Sequence, residues 1–188
     1  PPRAERFRSE LAEFLLLTRE LNTDPLQIKG SYAGALGVPQ FLPSSYRRYA
    51  VDFDGDGKRD LWSHADAIGS IANYYKSHGW LPGEPVLAQI EQSADPISDE
   101  FKALVERGIN PQTTVAAIKR AGGSPAYIVA DDTKAAVFAA ETDAGTRHWI
   151  GFNNFYVITR YNRSVNYALA VYELAQELRG LRTAQRAE

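Results

Sequence analysis

Three aspartates at alternate positions have the spacing of ligands for a hard metal cation. They are Asp52, Asp54 and Asp56, and Gly57 follows them. An EF-hand-type calcium loop takes oxygen ligands from positions 1, 3 and 5 and from a backbone carbonyl at position 7, with glycine at the turn in position 6. The spacing therefore predicts a calcium loop in which these three carboxylates and the carbonyl of Lys58 are ligands.

The end of this loop departs from the usual pattern. Position 12, where a bidentate glutamate normally closes the loop, is Ser63. The next carboxylate after Asp60 is Asp66, at position 15, so a longer loop can close there. The competing interpretation is a solvated acidic turn without metal. Because the spacing and the glycine agree, we predict one structural calcium ion with Asp66 as the last ligand.

A second group of residues combines aromatic rings with hydroxyl and amide groups. Aromatic faces pack against sugar rings, and polar side chains bind the sugar hydroxyls, so such residues suit a glycan groove. The segment Arg160-Tyr161-Asn162 stands out because it lies where a predicted strand passes into a helix. Each tyrosine by itself is more often a core or rim residue than a binding residue. The group comprises Ser31, Tyr32, Gln40, Phe41, Tyr46, Tyr49, Tyr74, Tyr75, Tyr161, Asn162 and Tyr167.

Other catalytic chemistries find little support. The three histidines lie in no nucleophile motif and show no zinc-ligand spacing, and there is no nucleotide-binding glycine motif. Four glutamates on the first predicted helix are expected to form a solvated face: Glu5, Glu10, Glu13 and Glu20. Arginines beside Glu10 and Glu20 would lower a carboxyl pKa, whereas a general acid needs it raised.

Composition indicates a soluble globular protein. Of 188 residues, 44% are hydrophobic and 23% charged, with a net charge of −2. This charge argues against electrostatic binding to nucleic acid or anionic membrane, and no segment has the apolar length of a membrane span. Without cysteine there is no disulfide or thiol chemistry. A chain that starts with Pro1 rather than Met is expected to be a mature form or a fragment.

Hydrophobic periodicity predicts helices separated by a region of short strands. The predicted helices cover 4–21, 38–42, 44–49, 65–78, 99–107, 112–120 and 164–182, and the predicted strands cover 86–90, 126–130, 135–140, 148–152 and 155–160. A hairpin turn is expected at 143–145, Ser164 is the expected N-cap of the last helix, and Ser44 or Ser45 is expected near the N-cap of the helix at 44–49. The predicted buried faces include Phe7, Leu11 and Leu15 in the first helix and Ile68 in the helix at 65–78. The pattern predicts an α+β fold, with a helical domain at 1–82 and 156–188 interrupted by an antiparallel αβ insert at 83–155.

The chain resembles the lytic murein transglycosylase B family over most of its length. The resemblance is carried by Gly30-Ser31-Tyr32-Ala33-Gly34-Ala35-Leu36-Gly37, Pro39-Gln40-Phe41-Leu42-Pro43-Ser44-Ser45-Tyr46, Tyr49-Ala50-Val51-Asp52-Phe53 with the acidic loop, Asp66-Ala67-Ile68-Gly69-Ser70-Ile71-Ala72-Asn73-Tyr74-Tyr75 and Ile158-Thr159-Arg160-Tyr161-Asn162. It is weakest over 88–148. The resemblance implies a lysozyme-like core with an added β subdomain.

The same resemblance implies cleavage of the β-1,4 bond between N-acetylmuramic acid and N-acetylglucosamine in peptidoglycan. The muramyl C6 hydroxyl attacks in place of water and leaves a 1,6-anhydro end, with one glutamate as acid and then base. That glutamate belongs to a Glu-Thr-x-(Tyr/Trp)-Gly segment, and no such segment occurs here. The acid is therefore expected upstream of residue 1, in a preceding or separate segment. A periplasmic location, with attachment to the outer membrane through that part, is also implied.

Residue by residue, the resemblance implies which side chains contact substrate and metal. The implied glycan-binding residues are Arg3, Ser31, Gln40, Phe41, Tyr74, Tyr161, Asn162 and Tyr167, and the implied calcium ligands are Asp52, Asp54, Asp56, the carbonyl of Lys58 and Asp66. Two alternatives are a noncatalytic calcium-stabilised glycan-binding module and a dockerin-like module. A dockerin closes its loop at position 12 and repeats it, which this chain does not do.

Overall fold

The chain divides into two compact units, Pro1–Ser77 and His78–Glu188. The structure is a computed structural model that describes residues 4–92, 97–142 and 145–186. Within those ranges no helix is both long enough and apolar enough to cross a bilayer. The predicted α+β class, with helices and an antiparallel sheet, is confirmed. The predicted grouping of 156–188 with 1–82 stays a prediction.

The first unit contains three helices. They are α1 (Ala4–Glu20), α2 (Pro43–Tyr49) and α3 (His64–Ser77), and α1 packs against α2. The apolar residues predicted to form the buried face of α1 include Phe7, Leu11 and Leu15, yet each of the three is about half exposed. Leu17 is the fully buried apolar side chain of this helix.

Polar contacts join α1 to α2, contrary to the expectation of a solvated glutamate face. The Oε2 and Oε1 atoms of Glu10 accept hydrogen bonds from the Ser44 N–H (3.1 Å) and the Ser44 hydroxyl (2.7 Å). Arg47 forms ion pairs with Glu13 and Glu20. The predicted serine N-cap of α2 is wrong: Leu42 is the N-cap residue, without a side-chain hydrogen bond, and Glu10 binds the free N–H from another helix.

The predicted helix at 38–42 is also wrong. Leu36 pairs with both Gly30 and Phe41, so the segment folds as two consecutive tight loops. Gly37 has φ +66°, and a Cβ there would lie 2.6 Å from the Leu61 carbonyl oxygen. Both the backbone conformation and the limited space therefore require glycine at this position. A helix through this segment would not require glycine there.

Helix α3 buries a different face from the one predicted. Ile68, which we assigned to the core, is 64% exposed, whereas Asp66 and Ser70 are fully buried. Asp66 binds the N–H of Phe53, and the Ser70 hydroxyl binds the N–H of Val51. The segment preceding α3 packs against this polar face, so the buried side follows hydrogen bonding rather than hydrophobicity.

The second unit is built on an antiparallel sheet. Its elements are β1 (Leu87–Gln92), α4 (Asp99–Glu106), β2 (Thr113–Thr114), α5 (Val115–Arg120), β3 (Ser124–Pro125), β4 (Lys134–Thr142), β5 (Gly145–Phe152), α6 (Asn153–Tyr161) and α7 (Val165–Gln185). The strand order is β2-β4-β5-β1-β3. As predicted, Ser164 caps α7 by accepting the N–H of Tyr167.

Both faces of the sheet are covered. Val137 on β4 belongs to a core with Phe101 of α4 and Ile118 of α5. On the opposite face, Phe138 stacks on Phe155 of α6 with 4.9 Å between ring centroids. Because four consecutive residues of β4 are buried, its sequence reads as a continuous apolar run rather than an alternating pattern.

Three predictions in this unit are wrong and one lies outside the described residues. Residues 155–160, predicted as a strand from their β-branched content, form most of α6. Residues 126–130 form no strand, and the neighbouring pairing is limited to Ser124–Pro125. The helix predicted from residue 112 starts at Val115, because Thr113–Thr114 pairs with β4 and Thr114 caps α5. The expected turn at 143–145 includes residues 143–144, which are outside the described ranges.

Candidate functional site

The acidic loop is folded around the carboxylate of Asp52. Its Oδ1 accepts the N–H groups of Gly55 (2.7 Å) and Asp56 (3.1 Å), and its Oδ2 accepts the N–H of Gly57 (2.8 Å). Gly55 and Gly57 have φ of +79° and +87°, a region that glycine occupies at little cost. The spacing that predicted a metal loop therefore produces a tight turn with its aspartates at the centre.

Asp66 ties both ends of this loop to the first turn of α3. Its Oδ1 accepts the N–H of Phe53 at 2.8 Å and its Oδ2 accepts the N–H of Asp60 at 2.7 Å, while the residue is only 1% exposed. These two hydrogen bonds, the one from Phe53 first, lower the pKa of the Asp66 carboxyl below its ordinary value. Asp66 is therefore held as a carboxylate, the form that binds cations.

Three carboxylates meet closely enough to share one ion. One oxygen each of Asp52, Asp54 and Asp66 lies within 4.8 Å of the others. Asp56 faces its own loop, where its Oδ1 accepts the N–H of Lys58 at 2.8 Å. Hard oxygen ligands of this kind suit calcium or magnesium rather than zinc or copper.

Helix α3 makes room for the loop at Gly69. A Cβ on Gly69 would lie 2.6 Å from both Cβ and Cγ of Phe53, closer than side-chain contacts allow. Phe53 lies between two of the clustered aspartates in sequence. The absence of a side chain at Gly69 therefore decides how near the loop lies to the helix that carries Asp66.

We predict that Gly69→Ala destabilises the protein by about 1–3 kcal/mol, because the new methyl group overpacks against Phe53. Gly180→Ala is the matched control, since Gly180 lies in α7 with nothing within 4 Å of the added Cβ. Alanine in an unhindered helix should stabilise by about 0.5–1 kcal/mol. Urea unfolding gives the free energy of unfolding of both variants. An equal increase in both variants would contradict the close contact between Phe53 and Gly69.

Two of the implied glycan-binding residues lie on the exposed loops at 30–41. The Ser31 hydroxyl oxygen accepts the N–H of Ala35 at 3.1 Å, which fixes the first loop. Gln40 has φ +54°, unusual for a residue other than glycine, and its Nε2 donates to the Gly37 carbonyl at 2.8 Å. Backbone strain of this kind is concentrated at functional sites, and here it orients an exposed amide.

Phe41 and Tyr74 belong to one aromatic cluster. Their ring centroids are 5.7 Å apart, and Tyr49 contacts both, at 6.5 Å from Phe41 and 4.9 Å from Tyr74. Asn73 anchors the cluster by donating to the Tyr49 carbonyl at 2.9 Å. Phe41 is only 3% exposed, whereas Tyr74 is half-buried, so Phe41 supports the surface that Tyr74 presents.

Three further implied residues, Tyr161, Asn162 and Tyr167, lie at the junction of α6 and α7 in the second unit. The rings of Tyr161 and Tyr167 stack with 6.4 Å between centroids and 3° between planes. Asn162, the C-cap residue of α6, is exposed beside them. Burial raises the pKa of Tyr167, so its hydroxyl stays protonated. The junction joins two helices, whereas we predicted a strand followed by a helix.

Among the carboxyl groups of residues 4–92, 97–142 and 145–186, those whose pKa is clearly shifted are unsuited to donate a proton. Hydrogen bonding to Arg47 lowers the pKa of Glu20, and backbone hydrogen bonds lower that of Asp66, in both cases opposite to the needs of a general acid. Arg3 lies outside the described residues. Trp62 is not predicted as a site residue from the sequence, because a single tryptophan outside any motif carries no pattern.

Known proteins that are similar to this chain in sequence and fold are lytic transglycosylases. Residues 1–176 match the protein family described as "Transglycosylase SLT domain". Membrane-bound lytic murein transglycosylase B of Escherichia coli (strain K12) is 43% identical over 176 residues, which make up 94% of this chain and 46% of that protein. The lytic transglycosylase SltB1 from Pseudomonas aeruginosa is 50% identical with a TM-score of 0.87, covering 97% of this chain and 59% of that one.

A third relative was solved with a metal. The Escherichia coli lytic transglycosylase Slt35 in complex with calcium is 42% identical with a TM-score of 0.84, covering 97% of this chain and 56% of that one. The chain thus spans roughly half the length of these relatives. The resemblance found in the sequence is confirmed over nearly all 188 residues, and the chain belongs to the transglycosylase SLT domain family.

Proposed function

We propose that this chain forms part of a lytic transglycosylase that cleaves the bond between N-acetylmuramic acid and N-acetylglucosamine and leaves a 1,6-anhydromuramyl end. The observation that carries the proposal is the match to SltB1 in both sequence and fold over 97% of the chain. The peptidoglycan glycan strand is the substrate. Because the relatives are longer, the activity belongs to the larger protein of which these residues supply a part.

The first unit and the second unit each carry proposed substrate contacts. Exposed polar groups on Ser31, Gln40 and Asn162 bind sugar hydroxyl and acetamido groups. The Tyr74 ring and the stacked pair of Tyr161 and Tyr167 offer flat faces to sugar rings. We call these residues, together with Arg3 and Phe41, the groove residues.

The reaction requires a glutamate that we place outside these residues. In the proposed chemistry the glutamic acid protonates the leaving glycosidic oxygen, and the carboxylate then accepts the proton of the attacking C6 hydroxyl. Atoms balance without water, since the C6 oxygen replaces the glycosidic oxygen at C1. No Glu-Thr-x-(Tyr/Trp)-Gly segment occurs in the 188 residues. An upstream segment, continuous or separate, is therefore the proposed source of the acid.

We further propose that calcium binds the acidic loop in a structural role. Two observations support it: Asp52, Asp54 and Asp66 converge, and Slt35 was solved in complex with calcium. Asp56 and the Lys58 carbonyl complete the proposed ligand set. When bound, the ion neutralises these carboxylates and holds the loop against α3, while the groove residues bind the glycan.

A periplasmic location, with attachment to the outer membrane outside the described residues, agrees with this substrate. One relative is a membrane-bound murein transglycosylase.

The test is release of 1,6-anhydromuropeptides from purified sacculi, detected by chromatography and mass spectrometry. We predict no product from residues 1–188 alone, and product when they are joined to the acid-bearing segment of a relative, since general acid catalysis contributes about 10²–10⁴-fold. In the joined protein, Tyr161→Ala should lower product formation about tenfold or more through lost stacking.

The control is Tyr127→Ala, because Tyr127 is exposed in the second unit and is not a groove residue. Product from the 188 residues alone that is abolished by Glu10→Gln would show that the acid was placed wrongly. Binding of glycan strands by the joined protein without any anhydro product would instead favour the noncatalytic module.

A further inference from the structure

A pocket in the first unit lies beside the metal loop and includes none of the groove residues. It lies between the end of α1, Tyr46 of α2 and residues 57–62, and its volume is about 500 Å³. Pockets for small ligands typically range over about 300–1,000 Å³. The pocket therefore has room for one sugar residue and part of its neighbour.

The pocket presents one preorganised aromatic face. Trp62 is 45% exposed, and its ring centroid lies 6.4 Å from that of the buried Tyr46. The backbone N–H of Trp62 donates to Asp60 Oδ1 at 2.8 Å, which fixes the backbone that carries the indole. The Tyr46 hydroxyl donates to the Arg59 carbonyl at 2.5 Å, and burial raises its pKa, so it remains a protonated donor. A large aromatic side chain is thus held firmly yet left open to solvent.

The polar groups around this ring are balanced in charge. Four charged side chains line the pocket: Lys58 and Arg59 are cationic, and Glu20 and Asp60 are anionic. Arg47 already pairs closely with Glu20, and the Arg59 guanidinium reaches the same carboxylate only at 3.7 Å. Within the described ranges, the Lys58 ammonium has no hydrogen bond or ion pair. Donors and acceptors therefore surround a flat apolar face without a net charge.

This combination selects a class of ligand. A simple anion or cation in the pocket would lie near like charges as well as opposite ones, so electrostatic interactions would contribute little to its binding free energy. A neutral sugar can bind the cationic and the anionic side chains through its hydroxyl and acetamido groups, while its ring packs on the indole. We propose that the Trp62 pocket binds one N-acetylhexosamine residue of a glycan strand as a second site, separate from the groove residues. The choice of an N-acetylated glycan rests on the proposed function.

The experiment uses the 188-residue chain with 5-fluorotryptophan and the tetramer of N-acetylglucosamine as the probe. The chain has three tryptophans, so ¹⁹F spectra should show three signals, with the Trp62 signal assigned from Trp62→Phe. Titration is performed in a Tyr161→Ala background to weaken the groove contacts. We expect the Trp62 signal to shift with saturation while the Trp149 signal stays unchanged.

Calorimetry with the same probe supplies the second readout. Trp62→Ala should raise the Kd about tenfold, Trp62→Phe should retain most of the affinity, and Arg59→Ala should weaken binding several-fold. A stationary Trp62 signal, or the same Kd for Trp62→Ala and its parent, would overturn the proposal. If Trp62→Ala does not fold, the Trp62 signal of the parent chain and the Kd of Arg59→Ala still decide it, because an unshifted Trp62 signal together with an unchanged Kd of Arg59→Ala excludes the pocket.

The two proposals fail separately. Trp62-dependent binding without any anhydro product from the joined protein would leave the pocket standing and remove the transglycosylase activity. Product formation by the joined protein, together with a Trp62 signal that does not shift when the probe is added, would remove the pocket proposal and leave the transglycosylase activity standing.

Discussion

Asp66→Asn should abolish stabilisation of this protein by calcium. An ion that binds only the native state adds about 2.7 kcal/mol to the free energy of unfolding at a concentration one hundred times its Kd. The substitution removes one of three converging charges, and the amide can accept only one of the two backbone N–H groups, from Phe53 and Asp60, that the carboxylate binds. The measurement is thermal unfolding in EDTA and in added calcium, with calorimetry of calcium binding.

Asp24→Asn is the matched control. Asp24 is an exposed aspartate of the same unit whose Oδ1 accepts only the N–H of Leu26, outside the acidic loop. This variant should keep the full calcium response. Equal melting temperatures of the unsubstituted protein in EDTA and in calcium, with no heat of binding, would remove the metal proposal and favour the solvated acidic turn.

Asn154→Ala should destabilise the second unit by about 2–4 kcal/mol. The side chain is fully buried and uses both ends of its amide. Its Oδ1 accepts the N–H of Leu81 at 2.9 Å, and its Nδ2 donates to the carbonyls of Leu81 (2.8 Å) and Glu84 (3.1 Å). Removing it leaves three backbone groups without this partner, and a buried unsatisfied polar group costs about 1–3 kcal/mol.

Asn153→Ala is the neighbouring control, since that side chain donates an exposed hydrogen bond to the Gly79 carbonyl at 2.7 Å and only a long one, 3.4 Å, to the Oδ1 of Asn154. Its cost should stay below about 1 kcal/mol. Denaturant unfolding followed by circular dichroism gives both values, and hydrogen exchange should show faster exchange of the Leu81 amide in Asn154→Ala only. A difference of less than about 0.5 kcal/mol between the two variants would contradict the role assigned to Asn154.

Local patterns predicted the elements whose signals are also local. The predicted helix at 99–107 is observed at 99–106 after a serine cap. The spacing of Asp52, Asp54 and Asp56 before Gly57 predicted a sharply turning loop, which the structure contains. Residues 155–160 were misjudged because β-branched residues favour strands, whereas packing of Phe155 on Phe138 selected a helix. Tertiary contacts outweigh propensities that differ by only about 1 kcal/mol.

The sequence alone determined the α+β class, the family and the likeness of the acidic loop to a calcium site. These depend on motifs and covalent spacing, which are properties of neighbouring residues. Only the tertiary structure decided which distant groups meet. Glu10 binds Ser44 across 34 positions and Asn154 binds Leu81 across 73. The pocket at Trp62 is likewise assembled from α1, α2 and the loop. Such contacts depend on how helices and loops pack, which no local pattern specifies.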